Sequence, residues 1–372
     1  MPESAVAEWM PIHLFLQAHP GERRRYPGGL DGLNSLKLLG FARMNRNLLL
    51  REGSQGDIFP ADYPDWADKE IRACEKAGIS IVTCGDPGYP TGFRRLHDPP
   101  VLLYMRGGLR PEDAGSVAVV GSRRATPYGE RVAFGLAREL ALAGVTVVSG
   151  LARGVDGAAH RGALDGGGRT VAVLGSGMNR MYPVEHEALA ERIVEAGALM
   201  TEYPMDAAPL PHHFPVRNRI LAALTEGVIV VEAARDSGSL ITASLAAEIG
   251  LFVGAVPGSI LSRTSQGCND LIFDGAVPVR DVDDILAQLP GGAGENARAR
   301  QSVSGSAEQA PPDGLTPDGA RLLDALSDTE AQSAEELAHA LQLASGPLLG
   351  HLLELEIRGL AVRAPGDLFL RK

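Results

Sequence analysis

The chain has 372 residues, of which 45% are hydrophobic, and it carries a net charge of −11. This length predicts two or three domains with sizeable cores. The acidic balance excludes a generally basic nucleic-acid-binding surface, so any such site has to be local.

The sequence shows no run of 18 apolar residues, which excludes a helical membrane span. Its N-terminus lacks the basic leader and the cleavage site of a signal peptide. The three cysteines, Cys74, Cys84 and Cys268, are scattered without a CxxC pair. This spacing excludes a cysteine zinc site and favours a reducing, cytoplasmic location.

Residues 1–65 contain short apolar stretches that are separated by glycine and proline. This pattern predicts a small N-terminal helical domain. Within it, "GLDGLNSLKLLG" fits either a helix-turn-helix or helix-hairpin-helix motif or plain helix packing, and the residues leave both interpretations open.

From Ser116 onward, apolar runs that are typical of β-strands alternate with longer helical segments. The strands are predicted in "SVAVVGS", "VTVVSG", "TVAVLGSG", "ALMTEYP", "GVIVVEA" and "LFVGAVPG", and an earlier strand, "GISIVTCG", is expected to join or flank them. Helices are predicted at 127–143, 155–166, 185–197, 215–226 and 239–250. Valine-rich strands with crossover helices indicate a parallel sheet that is buried on both faces. We therefore predict an α/β, Rossmann-like, doubly wound and mostly parallel sheet over residues 66–289.

Residues 290–314 are rich in glycine, alanine, serine and proline without periodicity, which predicts a flexible linker. Residues 315–372 then give three helical segments and two short strands around a Pro-Gly turn, the pattern of a winged helix. Its would-be recognition helix, "SGPLLGHLLELEIRG", is largely apolar and acidic, whereas a helix that reads a DNA groove should be basic. A protein-interaction or dimer-regulating role is favoured, and the basic residues Arg363, Arg371 and Lys372 keep DNA binding open.

Ligands of open parallel sheets bind beyond the carboxyl ends of the strands. In this chain those ends carry glycines and serines, which let the backbone approach a ligand, and they precede helix N-termini, which attract phosphate. Arginines recur there as well, and together these features favour an anion site. The arginines at these strand ends are Arg123, Arg124, Arg153, Arg180 and Arg235.

The sequence lacks the motifs of several common classes of enzyme and cofactor-binding protein. "GSGMNR" lacks the third glycine of a dinucleotide fingerprint, and no GK dipeptide or GxSxG elbow occurs. His160, His212 and His213 lack metal-ligand spacing. We therefore expect neither a cofactor nor a metal.

Three carboxylates, Asp156, Glu202 and Glu232, fall near the same strand ends. They suit either acid–base chemistry or the pairing and orientation of nearby arginines, and pairing is favoured. A partnership of Arg217 or Arg219 with Glu232 is the specific expectation.

Seven motifs occur in order over about 160 residues and closely resemble those of the DNA-processing protein A (DprA, also called Smf) family. They are "VAVVGSRRATPYG", "VVSGLARGVDGAAHRGAL", "RTVAVLGSGMNRMYP", "EYP", "HHFPVRNRILAAL", "VIVVEAARDSGSLITA" and "AVPGS" followed by "SQGCNDLIFDGA". The flanks agree, because many members carry an N-terminal SAM-like helical domain and a C-terminal winged helix.

The resemblance implies a non-enzymatic, cytoplasmic protein that binds single-stranded DNA in natural transformation. It implies that the protein protects incoming strands and helps to load RecA past single-strand-binding protein. It also implies a homodimer formed through the C-terminal part of the Rossmann-like domain. The motifs and the strand ends together give the expected DNA-binding residues, which are Gly121, Ser122, Arg123, Ser149, Gly150, Arg153, Gly154, Arg169, Gly175, Gly177, Arg217, Asn218, Arg219, Ser237, Gly238 and Ser239.

Two other functions compete with this hypothesis. One is hydrolysis of nucleotide N-glycosidic bonds by a protein that resembles the lysine-decarboxylase-like enzymes. The segment "DSGSLITASLAAE" has Leu245 where the catalytic glutamate of that family falls, which counts against hydrolysis. The other is a scaffold that recruits partners through the winged helix and the linker.

Overall fold

The computed structural model describes residues 63–289, 315–326, 332–341, 343–364, 366 and 368–371. The predicted linker, 290–314, and nearly all of the predicted N-terminal domain, 1–65, lie outside the described residues. The chain divides into two compact units, Met1–Ser302 and Val303–Lys372.

The first unit is built on a nine-stranded sheet in the order β1-β2-β6-β5-β4-β3-β7-β8-β9. Strands β3 to β9 are parallel, and β2 runs antiparallel between β1 and β6. This arrangement confirms the mostly parallel α/β sheet. The strands are β1 Ile79–Thr83, β2 Leu102–Gly107, β3 Val117–Val120, β4 Val147–Ser149, β5 Thr170–Val173, β6 Ala198–Thr201, β7 Gly227–Val230, β8 Phe252–Ala255 and β9 Val277–Pro278.

Helices cover both faces of this sheet, as a doubly wound fold requires. The helices are α1 Tyr63–Lys76, α2 Pro127–Leu142, α3 Val155–Asp165, α4 Glu187–Ala196, α5 His213–Ala223, α6 Gly238–Glu248, α7 Gln266–Phe273 and α8 Val282–Leu286. Helices α2, α3 and α8 share one hydrophobic cluster with the sheet, whereas α5 and α6 share another. Strands β3 and β7 are therefore buried on both sides, which explains their uninterrupted valine-rich sequences.

Local signals set several helix starts. Thr126 caps α2, because its hydroxyl oxygen accepts a hydrogen bond from the Gly129 N–H at 3.2 Å, and Pro127 occupies the first turn. The predicted helix at 215–226 is displaced, since α5 extends from His213 to Ala223 with Pro215 in its first turn. Strand β2 was not predicted, because Leu102–Gly107 is a single short apolar run next to the Pro99-Pro100 pair.

The second unit has the helices and hairpin of a winged helix. Its three helices pack around a leucine core that includes Leu322, Leu337 and Leu352. The elements are α9 Pro317–Ala325, β10 Gln332–Ser333, α10 Ala334–Leu341, α11 Ser345–Ile357, β11 Ala361–Ala364 and β12 Leu368–Arg371, and the strands pair in the order β10-β12-β11. Across the described ranges, no helix is long and apolar enough to cross a membrane.

Candidate nucleic-acid interface

The strand order places a crevice at the carboxyl ends of β3 and β7. Strands β4, β5 and β6 lie on one side of β3, and β7, β8 and β9 lie on the other. Such a switch point leaves a crevice beyond the carboxyl ends, where ligands of this architecture bind. A cleft of about 580 Å³ occupies the position and is lined by Val120, Gly121, Ser122, Arg123, Arg124, Ala152, Asp156, Pro211, Phe214, Pro215, Arg217, Asn218, Leu221, Ala234, Asp236, Ser237, Gly238, Ser239, Thr242, Arg263 and Thr264.

Two glycines allow the loops behind the cleft to pack closely. A Cβ at Gly121 would lie 2.7 Å from Val155 Cγ2 and 2.9 Å from the Glu232 carbonyl oxygen. Gly154 precedes α3 with a φ of +69°, and a side chain there would collide with the Ser122 carbonyl. A larger residue at either position would push the β3–α2 loop out of place.

Helix α6 begins at the cleft wall. The side chain of Ser237 accepts a hydrogen bond from the Ser239 N–H at 3.4 Å, and both residues line the cleft together with Gly238. The backbone N–H groups and the dipole at the start of a helix favour an anion. The predicted residues Ser237, Gly238 and Ser239 are therefore brought to the cleft with Gly121, Ser122 and Arg123.

Three exposed arginines line the cleft, namely Arg123, Arg124 and Arg263. Among the residues that the structure describes, none of the three forms an ion pair. The one exposed carboxylate in the lining is that of Asp236. The rim therefore has an excess of positive charge in a protein that is acidic as a whole.

Aromatic rings lie beside these cations. The Arg123 Cζ atom lies 4.5 Å from the Phe214 ring centroid, and the Tyr182 ring centroid lies 5.9 Å from that of Phe214. The Arg153 Cζ atom lies 5.8 Å from the Tyr182 ring centroid, and this arginine also forms an ion pair with Glu185. We call Tyr182 and Phe214 the aromatic pair; it offers π-faces next to a cationic cleft.

The two arginines of α5 point inward. Arg217 lies in the floor of the cleft, where its Nη1 donates to the carbonyls of Gly150, at 3.0 Å, and Val173. Burial lowers the pKa of Arg217 to about 10. Arg219 is also buried, and its Nη2 donates to both carboxylate oxygens of Glu202, at 2.7 and 2.9 Å, while its Nε donates to Asp98 at 3.0 Å.

The expected pairing of Arg217 or Arg219 with Glu232 is wrong. The Glu232 carboxylate accepts from the Thr126 N–H at 2.9 Å and from the Thr126 hydroxyl at 3.2 Å, so it holds the start of α2. Asp156 accepts from the backbone N–H groups of Gly150 and Ala152 at 3.2 and 3.3 Å. Burial raises the pKa of Asp156, and the positive charge of Arg217 opposes that rise.

Arg169 lies at the opposite end of the parallel strands, immediately before β5. Its guanidinium donates to Asp113 at 2.8 and 2.9 Å and to the carbonyls of Ala196 and Gly108 at 3.0 and 2.8 Å. Burial opposes the charge of Asp113, but hydrogen bonds from Arg169 and Thr146 hold the pKa of this carboxyl below its usual range. The structure therefore does not bring Arg169 to the cleft.

The remaining predicted residues lie at the carboxyl ends of β4 and β5 but outside the cleft lining. Ser149 is buried and donates its hydroxyl to the Val119 carbonyl at 2.6 Å. Arg263 and Thr264 belong to the cleft and were not predicted. They follow the carboxyl end of β8 by several residues, and that position is the signal that could have identified them. Besides Arg169 and Arg219, the predicted residues outside the lining are Ser149, Gly150, Arg153, Gly154, Gly175 and Gly177.

No group of three His, Cys, Asp or Glu side chains that could hold a metal ion occurs within the described ranges. His160 of α3 is buried, and its Nδ1 lies 2.7 Å from the Thr170 hydroxyl. That hydroxyl donates to the Val147 carbonyl, so the Nδ1 of His160 carries the proton and donates to Thr170. In the described part of the chain, the Nε2 of His160 has no hydrogen-bond partner.

His160 makes the stability of the first unit depend on pH. Burial, together with His186, Arg217 and Arg161, lowers its pKa from 6.5 to about 3. Between these values the unfolded state binds a proton that the folded state excludes, so stability falls as the pH decreases. We expect the free energy of unfolding to fall by up to about 1.4 kcal/mol more per pH unit in the wild type than in His160→Gln. Urea unfolding at pH 5.0 to 6.5 measures this difference, with His97→Gln, on an exposed residue of the same unit, as the control. Equal slopes in the wild type and in His160→Gln would contradict it.

Comparison with known proteins matches both described units. Residues 80–290 match the family model of DNA recombination-mediator protein A, and residues 306–367 match the DprA winged helix domain. A relative from Mycobacterium tuberculosis that carries the DprA name is 38% identical over 348 residues, which cover 93% of this chain and 81% of the relative. The DNA processing protein DprA of Streptococcus pneumoniae is 45% identical over 208 residues, which cover 55% of this chain and 72% of that protein.

Solved structures agree with these matches. The X-ray structure of DNA processing protein A from Streptococcus pneumoniae aligns with this chain at a TM-score of 0.57 and 35% identity. The alignment covers 73% of this chain and 97% of the Streptococcus pneumoniae chain. The Helicobacter pylori protein, whose structure was described for its single-stranded DNA binding mode, aligns with a TM-score of 0.51 and 32% identity over 56% of this chain and 93% of that one. The sequence motifs, the doubly wound sheet with its winged helix and these matches together place the chain in the DprA family of DNA-processing proteins.

Proposed function

We propose that the cleft binds single-stranded DNA without reading its sequence. Exposed arginines and the start of α6 hold phosphates, and the aromatic pair contacts bases. Phosphate contacts position a strand, whereas stacking on aromatic rings tolerates any base. The observation that carries the proposal is the set of three arginines without ion pairs in the described part of the chain, next to Phe214, at the switch point of the sheet.

The set of proposed DNA-binding residues is smaller than the set expected from the sequence. Arg123, Arg124 and Arg263 are proposed to contact phosphate, with Ser122, Ser237, Gly238 and Ser239 supplying backbone and hydroxyl donors. Arg217, Asn218 and Gly121 shape the floor of the cleft. The buried ion pairs of Arg219 and the position of Arg169 support structural roles for both residues. Binding of oligo(dT) to Arg169→Ala tests whether the strand reaches the opposite edge of the sheet.

Titration of labelled oligo(dT) at two salt concentrations tests the proposal. The expected result is micromolar or tighter binding that weakens as salt is raised, because phosphate contacts release counterions. No binding at low salt would contradict it.

We propose further that the protein is not an enzyme. The N-glycosidase alternative has Leu245 at the position of its catalytic glutamate. Incubation of the protein with nucleoside monophosphates is expected to release no free base, and release of base would favour the enzyme.

A homodimer is proposed through the C-terminal part of the Rossmann-like domain. Leu261 and Phe273 are each 92% exposed there, and Ile260 is 83% exposed. The Asn269 side chain bonds to both the N–H and the carbonyl of Gly258, at 3.2 and 3.0 Å, which ties α7 to the 258–262 loop. Phe273 lies one turn beyond Asn269 on the same helix face. Large apolar side chains grouped on one flank support a protein contact at this position.

Phe273→Glu is expected to convert the dimer into a monomer, because it would bury a charge in an apolar contact. Light scattering during size-exclusion chromatography measures the mass. Leu142→Glu changes an exposed apolar residue at the far end of α2 and is expected to leave the mass unchanged. A dimeric Phe273→Glu protein would place the interface elsewhere.

The biological role that we propose is protection of incoming single strands and RecA loading past single-strand-binding protein during natural transformation and recombination in the cytoplasm. Membership of the DprA family supports this role. The test is RecA filament formation on oligonucleotides coated with single-strand-binding protein, which is expected to be faster with the wild type than with Arg123→Ala.

A further inference from the structure

The winged helix has an apolar stripe on the outer face of α11. Leu348, Leu352 and Leu355 of this helix are buried in the domain core. By contrast, Leu349, Leu353 and Ile357 are 51%, 57% and 78% exposed. Their spacing of four residues places them in one row along the helix. We call Leu349, Leu353 and Ile357 the α11 stripe.

Two glycines flank the stripe. Gly346 and Gly350 lie on the same side of α11 as Leu349 and Leu353, and a Cβ at either glycine would meet no atom of the described residues within 4 Å. Small residues beside large ones form the holes into which the side chains of a second helix insert. The face is therefore shaped to receive another helix at close range.

The charges of α11 are all in its C-terminal half. Residues 345–350 carry no charge, and the first turn has no acidic residue. Glu354 and Glu356 lie near the other end, where Arg358 binds Glu354 at 2.7 Å. A parallel pair of α11 helices would bring these acids together. An antiparallel pair brings the acids of each helix beside the uncharged, dipole-positive start of the other.

We propose that α11 docks on α11 of a second copy of the chain, antiparallel, with Leu353 near the two-fold axis. Leu349 of one copy then meets Ile357 of the other, because a two-fold contact uses the same surface twice. The central position of Leu353, four residues from each of the other two, makes the stripe self-complementary.

Three side chains form a contact well below the roughly 800 Å² per partner of a stable interface. The winged helices therefore need to be held near each other, and this step rests on the homodimer proposed above. In such a dimer, the predicted linker of 25 residues in each copy would keep the two winged helices close together. Their effective local concentration would then be in about the millimolar range.

Disulfide formation in the full-length protein tests the pairing. Leu353→Cys is expected to form a disulfide-linked dimer rapidly under mild oxidation, because its two copies meet at the axis. Leu349→Cys and Arg358→Cys are expected to link poorly, since their copies lie beyond the roughly 7 Å that a disulfide spans. The double variant Leu349→Cys/Ile357→Cys is expected to link, and its two cysteines lie about 12 Å apart within one helix, which prevents an internal bond. The native cysteines are buried in the first unit, and the wild type reports their background.

The same samples separate this proposal from the homodimer proposal when their mass is measured by light scattering. A dimeric protein in which Leu353→Cys links no faster than Arg358→Cys would overturn the α11 pair and leave the homodimer standing. A monomeric protein in which Leu353→Cys links only at high concentration would support the pair and overturn the homodimer. Linking of Leu349→Cys as fast as Leu353→Cys would replace the antiparallel arrangement with a parallel one. Protection of the thiol of the Leu353→Cys variant by added oligo(dT), without linking, would identify nucleic acid as the occupant instead.

Discussion

Glu202→Gln is expected to lower the free energy of unfolding of the first unit by about 3 kcal/mol. The carboxylate of Glu202 is buried and accepts two hydrogen bonds from Arg219. Burial opposes the charge of Arg219, but the carboxylates of Glu202 and Asp98 outweigh it and raise its pKa. After the substitution, the buried guanidinium of Arg219 keeps its proton and therefore its charge. It then has one carboxylate partner, that of Asp98, instead of two. Urea unfolding followed by circular dichroism measures the loss.

Glu191→Gln is the matched control for this substitution. Glu191 also binds an arginine with both oxygens, at 2.7 and 2.8 Å from Arg106, but the pair lies at the surface. Exposed pairs contribute at most about 1 kcal/mol, so this variant is expected to unfold close to the wild type. Equal losses in the two variants would show that the environment of Arg219 is not what makes Glu202 important.

Arg123→Ala is expected to weaken oligo(dT) binding by about tenfold or more, which corresponds to about 1.4 kcal/mol. The exposed guanidinium of Arg123 has no ion-pair partner in the described ranges and lies over Phe214. Its removal would take away both the proposed phosphate contact and a cation beside the rings that are proposed to contact bases. The salt dependence of binding is expected to decrease by about 0.7 in the logarithmic slope for one lost contact to a single strand. Titration at four salt concentrations measures both quantities.

Two variants control this experiment. Arg123→Lys keeps the charge and is expected to retain the salt slope while losing part of the affinity, because an ammonium lacks the planar fork of a guanidinium. Arg138→Ala removes an exposed arginine that pairs with Asp165 at 2.9 Å outside the cleft, and it is expected to bind as the wild type does. Equal affinity of Arg123→Ala and Arg138→Ala for oligo(dT) would show that the strand does not bind in the cleft.

The sequence predicted those parts of the fold that depend on local pattern. Valine-rich runs such as Val117–Val120 and Gly227–Val230 are strands because both of their faces are buried. Strand β2 could not be predicted from local pattern, because it forms by antiparallel pairing with β6. Its partners there are about 95 residues away in the chain, such as Thr201 opposite Tyr104.

The site was predictable where backbone geometry determines it. Gly121, Ser122 and Ser237 to Ser239 follow strands and precede helices, so their place at the carboxyl ends of the strands follows from chain direction alone. The orientation of α5 was not predictable in this way. Arg217 turns inward because the carbonyls of Gly150, just after β4, and of Val173 in β5 accept its hydrogen bonds. Arg219 turns inward because the carboxylates of Glu202 and Asp98 bind it, and Asp98 is 121 residues distant in the chain.

Photo-cross-linking of a bromodeoxyuridine-containing oligonucleotide to the full-length protein, followed by mass spectrometry of the linked peptides, shows directly whether the strand lies in the cleft. We expect cross-links to peptides that contain Phe214 or Tyr182, and we expect their loss in Arg123→Ala at limiting protein concentration. Cross-links confined to the winged helix, residues 315–372, would contradict the assignment of the cleft as the DNA-binding site.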